Sequence, residues 1–240
     1  MQKRTFLVTG ASKGIGNATA KILGAQGHTV IGLARTAPTE PLSGEFVAVD
    51  LLDRKLLKEV LADMSSKYKL DGIFNNVGLV NPEPAEEITE EHLNNCYHVN
   101  VSVALQCVQA ALPNMKEQKW GRIVNTGSLT VVGVPFRGSY AAAKTALVSL
   151  ARTWALEFAQ YNITANTISP GPIETELFNT NNPPGSESRQ RYIDGIPLRR
   201  TGTPEEVGEA VSFLMSDKGA FITGQNIFVD GGSSIGKSLI

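Results

Sequence analysis

Short apolar runs alternate along the chain with longer stretches of helical period. "RTFLVTG" (4–10) is β-rich, apolar through its centre and closed by glycine, which suits a strand buried on both faces. A helical stretch, "GIGNATAKILGAQG" (14–27), follows it. "HTVIGLAR" (28–35) and "EFVAVD" (45–50) read as the next two strands, and "DRKLLKEVLADMSSKY" (53–68) as an amphipathic helix. "LDGIFNNVG" (70–78) reads as strand four, residues 89–118 as one long helix, and "GRIVNTGS" (121–128) as strand five. A helix through Tyr140, the strand "ITANTISPG" (163–171), a helix opening at "TPEEV" (203–207) and a last strand, "QNIFVDGG" (225–232), complete the series. Thr203 with Glu206 has the spacing of a capping box, and Pro204 suits the first helical position. Strand–helix alternation of this kind predicts an α/β fold: a single Rossmann-like domain over 1–240, built on a doubly wound parallel sheet with right-handed crossovers.

Two connections break the rhythm. "TAPTEPLSG" (36–44) carries two prolines and no helical period, so the crossover helix expected there should be missing. Residues 176–200 are polar and interrupted by Pro183, Pro184 and Gly185. A segment of that length and composition is expected to be a lid or binding loop.

The bulk numbers narrow the class. With 240 residues, 42% hydrophobic, 19% charged and a net charge of −1, this is an ordinary globular composition without the basic face of a nucleic-acid binder. The N-terminus carries no signal-peptide core and no stretch is long enough for a membrane span, so a cytoplasmic protein is expected. On one helix, Cys96 and Cys107 would be roughly 16 Å apart at about 1.5 Å per residue, too far for a disulfide. The three histidines are scattered and no residue spacing reads as a metal site.

Candidate chemistry begins at "TGASKGIG" (9–16), between the first strand and the first helix. Gly10, Gly14 and Gly16 allow a sharp turn and close backbone approach, and the helix start offers free N–H groups to a pyrophosphate. The spacing is G-x-x-x-G-x-G, not G-x-G-x-x-G. About twenty residues on, where an acid would hold the ribose hydroxyls of NAD, stand Ala34 and Arg35. Singly, Lys13 and Arg35 read as solvated charges. Together, around the missing acid, they favour NADP(H).

"SYAAAK" (139–144) places Tyr140 and Lys144 one turn apart on one helix face. They are either a surface pair or a proton-transfer pair.

Taken in order, "TGASKGIG", "NNVG" (75–78), Ser128, "YAAAK" (140–144) and "SPGPIET" (169–175) resemble the short-chain dehydrogenase/reductase family over nearly the whole chain, most closely its 3-oxoacyl-(acyl-carrier-protein) reductases. The resemblance implies that Tyr140 is the general acid/base, that Lys144 assists it, that Ser128 binds the substrate carbonyl, and that Asn100 holds a water against the lysine. A neighbouring ammonium is expected to lower the phenol pKa. The resemblance further implies cofactor contacts from Gly10, Ser12, Lys13, Gly14, Ile15, Gly16 and Arg35. Asp50 and Leu51 would meet the adenine, Asn76, Val77 and Gly78 the ribose side, and Pro170, Gly171, Ile173 and Thr175 the nicotinamide amide. Val77 stands where the family usually has alanine. Of two positions where such reductases carry a basic docking residue for acyl carrier protein, one holds Lys119 and the other Tyr161. The expected substrate is an acyl thioester; the alternatives are a small alcohol, sugar or cyclic diol, or NADP binding without turnover. A homotetramer is expected, with the apolar tail "SSIGKSLI" (233–240) against a neighbouring subunit.

Overall fold

A computed structural model describes residues 2–236; Met1 and residues 237–240, the end of the apolar tail, lie outside the described residues. Seven parallel strands form one sheet in the order β3-β2-β1-β4-β5-β6-β7. They are β1 (Thr5–Thr9), β2 (Thr29–Ala34), β3 (Phe46–Ala48), β4 (Gly72–Asn75), β5 (Gly121–Thr126), β6 (Ile163–Pro170) and β7 (Asn226–Val229). Strands β4, β5 and β6 are buried along their whole length, and β5 and β6 bury polar side chains as well, among them Arg122, Asn125, Asn166 and Ser169. The order reverses between β1 and β4, and such a switch point opens a crevice at the C-terminal strand ends.

Helices α1 (Gly14–Ala25) and α8 (Pro204–Leu214) pack on one face of the sheet; α2 (Arg54–Lys67), α4 (Val103–Gln118) and α5 (Gly138–Phe158) cover the other. Leu7, Ile31, Leu33, Ile73 and Ile123 point to the second layer, while Phe6, Val8, Val30, Phe74 and Val124 point to the first, as a period of two requires. The capping box of α8 is present, with Thr203 and Glu206 bonded reciprocally. Between β2 and β3 there is no helix. Both cysteines are free and buried.

The stretch 89–118 is not one continuous helix. It divides into α3 (Glu90–Tyr97), a π-turn over His98–Ser102, and α4. The π-turn carries one surplus residue per turn and therefore redirects the side chains within it. Segment 176–200 contains two short helices, α6 (Glu176–Asn181) and α7 (Glu187–Asp194), each opened by a side-chain cap from Thr175 or Ser186. Phe178 and Tyr192 meet edge to face across them, with ring centroids 5.4 Å apart. None of the described helices is long and apolar enough to cross a membrane.

Candidate functional site

At the switch point lies a cavity of about 420 Å³. Eight of the expected residues line it: Gly10, Ser12, Lys13, Arg35, Asp50, Leu51, Val77 and Gly78. Thr36, Leu52, Leu79 and Val99 join them, with Ala34 and Val49 on the β2 and β3 side. The chain turns into the cavity through Gly10, at φ +67°, and Gly14, at φ +54°. A Cβ on Gly16 would sit 2.2 Å from the Gly10 carbonyl oxygen, so glycine is required there for the helix to start so close to the loop.

The loop is braced from β4. The Thr9 hydroxyl accepts bonds from the backbone N–H groups of Asn76 (2.9 Å) and Val77 (3.1 Å). The Asn76 amide donates to the carbonyls of Thr9 (3.1 Å) and Gly10 (3.4 Å). Asn76 therefore supports the phosphate loop with its side chain and does not line the cavity. Ile15 lies partly buried against the core. The Ile173 side chain is also in the core, so the expected cover from this position comes only from its backbone. Pro170 and Gly171 end β6 beside it, where the Gly171 N–H donates to the Val229 carbonyl at 3.0 Å. Thr175 reaches the phosphate loop, with its methyl 3.2 Å from where a Gly14 Cβ would lie.

The second cluster stands at the other end of the crevice. Lys144 is fully buried on α5, and its Nζ has no hydrogen-bond partner. It lies 5.4 Å from the centroid of the Tyr140 ring, one turn back on the same helix. Asn100 lies in the π-turn. Its amide donates to the carbonyls of Leu79 (2.9 Å) and Cys96 (2.8 Å), while its Oδ1 is buried and unpartnered. Both orphaned atoms border Gly78. A Cβ built there would lie 3.3 Å from Asn100 Oδ1 and 3.6 Å from Lys144 Nζ. Two buried polar atoms left open on one side of a cavity are what a polar ligand would complete. A nicotinamide dinucleotide fits this arrangement, with a glycine cradle at one end and unfilled donor and acceptor capacity at the other.

Ser128 follows β5 and accepts a bond from the Thr130 N–H at 3.1 Å. It also faces the Tyr140 phenol and favours its ionised form. The lowered phenol pKa expected from sequence belongs to the cofactor-bound site; without cofactor, burial acts in the opposite direction. Burial pushes Tyr140 up to about 12, outweighing the opposing hydrogen bond from Ser128. Burial likewise brings Lys144 down to about 7. Desolvation disfavours both charged forms, and no carboxylate faces the lysine to offset it.

Several residues near the site gave no signal in the sequence. Glu83 latches the loop after Gly78 to the start of α5. Its N–H donates to the Phe136 carbonyl (3.1 Å), its carboxylate accepts from the Ser139 hydroxyl (3.4 Å), and its other oxygen meets His92 Nδ1 at 2.7 Å. Phe136 is held at φ +60°, the left-handed region that a bulky residue rarely occupies. His98, buried in the π-turn, bonds the Leu51 carbonyl at 3.1 Å and so ties the Asn100 turn to the cavity wall. A polar residue in a proline-flanked loop, or a histidine in an apolar helical run, has no periodicity to mark it.

A family model described as enoyl-(acyl carrier protein) reductase matches residues 10–234. The chain belongs to the short-chain dehydrogenase/reductase family. A 3-oxoacyl-[acyl-carrier-protein] reductase of Thermotoga maritima is 34% identical to it, over 97% of this chain and 98% of the relative. Among solved structures, a short chain dehydrogenase family protein of Francisella tularensis superposes with a TM-score of 0.89 at 31% identity, covering 98% of this chain and 100% of that one. A Beutenbergia cavernae protein, provisionally described as an NAD(P)-dependent gluconate 5-dehydrogenase and containing NADP at low occupancy, gives 0.89 at 32% identity over 96% of each chain. The short-chain dehydrogenase/reductase assignment accounts for both clusters, and the chain is an oxidoreductase of that family.

Proposed function

We propose that this chain reduces the ketone of a 3-oxoacyl thioester with NADPH. The observation that carries the reading is the convergence of Ser128, Tyr140, Lys144 and Asn100 at the end of a glycine-cradled cavity. A bound reduced nicotinamide supplies a hydride to the carbonyl carbon. The chain's own residues handle the oxygen. The Ser128 hydroxyl orients it, and Tyr140 donates the proton that makes it a hydroxyl. Lys144 Nζ and Asn100 Oδ1, both without protein partners, are left to bind ribose and to pass a proton inward from solvent.

The rim of the site supports an apolar substrate. Val132, Val134 and Phe136 stand exposed just ahead of α5, and Leu177 and Tyr192 stand exposed in segment 176–200, the proposed substrate lid. Acyl carrier protein as partner is supported by Lys119, which caps α4 in the left-handed conformation, and by Lys116, whose Nζ lies 5.1 Å from the Tyr161 ring centroid. A basic group thus stands at one of the two docking positions, and a second lies over the tyrosine that occupies the other. Exposed Leu93, Tyr97 and Leu105 on α3 and α4, with Leu156 on α5, support a homotetramer. A cytoplasmic location goes with this reading.

The test is NADPH consumption with acetoacetyl-coenzyme A, a 3-oxoacyl carrier-protein thioester and a simple cyclic ketone, and NADPH formation from NADP+ with a sugar acid. Thioesters should be turned over most efficiently. Tyr140→Phe should bind NADPH as the parent does and lose nearly all turnover. Preferential oxidation of the sugar acid would replace this reading with that of a small polyol dehydrogenase.

A further inference from the structure

Lys13 is the only side-chain cation in the turn from β1 to α1, between Ser12 and Gly14, and it lines the cavity. It is not free. Its Nζ lies 2.7 Å from Glu176 Oε2, both groups being well exposed. Arg35, the second cation on this wall, forms no ion pair among the described residues. Glu176 is the first residue of α6, directly after Thr175, whose methyl packs on the phosphate loop. The lid therefore begins against the cofactor cradle and places a carboxylate on one of its two cations.

We propose that Glu176 is a cofactor-specificity residue: it competes with the 2′-phosphate of NADPH for Lys13. This rests on the NADPH reading of the cavity. A phosphomonoester carries about −1.5 to −2 charges near neutral pH. To engage Lys13 it must displace the Glu176 carboxylate and then sit near it, and both requirements weaken binding. NADH has no group at that position and leaves the ion pair intact. Glu176 thus narrows the gap between the two dinucleotides that Lys13 and Arg35 open. The same exchange links the lid to the cofactor, because a 2′-phosphate that takes Lys13 releases the start of α6.

The experiment is direct binding, without substrate, by calorimetry or fluorescence on the full chain. The probes are NADPH, NADH and adenosine 2′,5′-bisphosphate, which carries the phosphate and lacks the nicotinamide. Exposed ion pairs are weak, so Glu176→Gln should tighten NADPH and the bisphosphate by about two- to fivefold. NADH should be unchanged, and the gain should shrink as salt is raised. In a Lys13→Met background the gain from Glu176→Gln should shrink to the residue left by relieved repulsion, well below the gain in the parent. Equal tightening of NADPH and NADH, no tightening, or a gain undiminished by Lys13→Met overturns the proposal. The NADPH reading fails separately, through a wild-type chain that binds NADH more tightly than NADPH.

Discussion

Replacing Lys144 by methionine should stabilise the cofactor-free protein while abolishing turnover. The side chain is fully buried, its Nζ has no hydrogen-bond partner, and its pKa is brought from 10.5 to about 7 by desolvation. The unfolded chain therefore binds this proton more tightly than the folded one. Stability is lost as pH falls from the unfolded value towards the folded value, and the loss levels off below about pH 7. At about 1.4 kcal/mol per pKa unit, the full interval corresponds to about 5 kcal/mol. Near pH 9 only about 2 kcal/mol of it has accrued, and the other 2–3 kcal/mol, roughly, accrues between there and neutrality. Methionine keeps the buried stem and has no proton to bind. Urea unfolding of both proteins, cofactor-free and at one subunit concentration, should find Lys144→Met more stable. The difference should be larger near pH 7 than near pH 9 by about 2–3 kcal/mol. A difference that does not change with pH, or a less stable variant at neutrality, would refute the claim that this ammonium is buried without a partner.

Arg35→Ala should weaken NADPH by about ten- to a hundredfold, the weight of a hydrogen bond to a charged group, and leave NADH nearly unchanged, as read from kcat/KM for both cofactors with one substrate. Lys119→Glu should raise KM for a carrier-protein thioester and leave the coenzyme A thioester unaffected; equal effects on both would count against carrier docking. Light scattering at micromolar concentration should give four times the 25.7 kDa chain mass, and a monomer would sink the assembly proposal.

The sheet was legible because β1, β2 and β4 are short apolar stretches closed by turns and the remaining strands fall between clear helical periods. The missing β2–β3 helix was legible from two prolines, and the α8 start from its capping box. The π-turn was not. "HVNVSVAL" has no breaker, and one surplus residue leaves the apolar pattern on either side intact. The bracing role of the Asn76 side chain was not legible for a related reason: a motif fixes which residue stands at a position but not which way its amide turns. The desolvation of Tyr140 in the cofactor-free chain was not legible either, because adjacency on a helix reports spacing, whereas desolvation depends on everything packed around the pair. Glu83 was invisible because its partners, Phe136 and Ser139, lie more than fifty residues further along the chain.

The turn at His98–Ser102 also sets how such a chain can change by length rather than by substitution. Deleting one residue there would let α3 and α4 merge into a regular helix, at no loss of backbone hydrogen bonding. The two halves would keep their facing, because the turn absorbs the surplus residue, and the side chains inside the turn would be re-aimed. Either Asn100 or the Cys96 carbonyl that holds its amide would leave the crevice, and the His98 tie to Leu51 would go with them. The sheet and the glycine cradle touch none of these atoms. A single-codon deletion there would therefore re-aim the Asn100 side of the crevice and leave the glycine turn as it is.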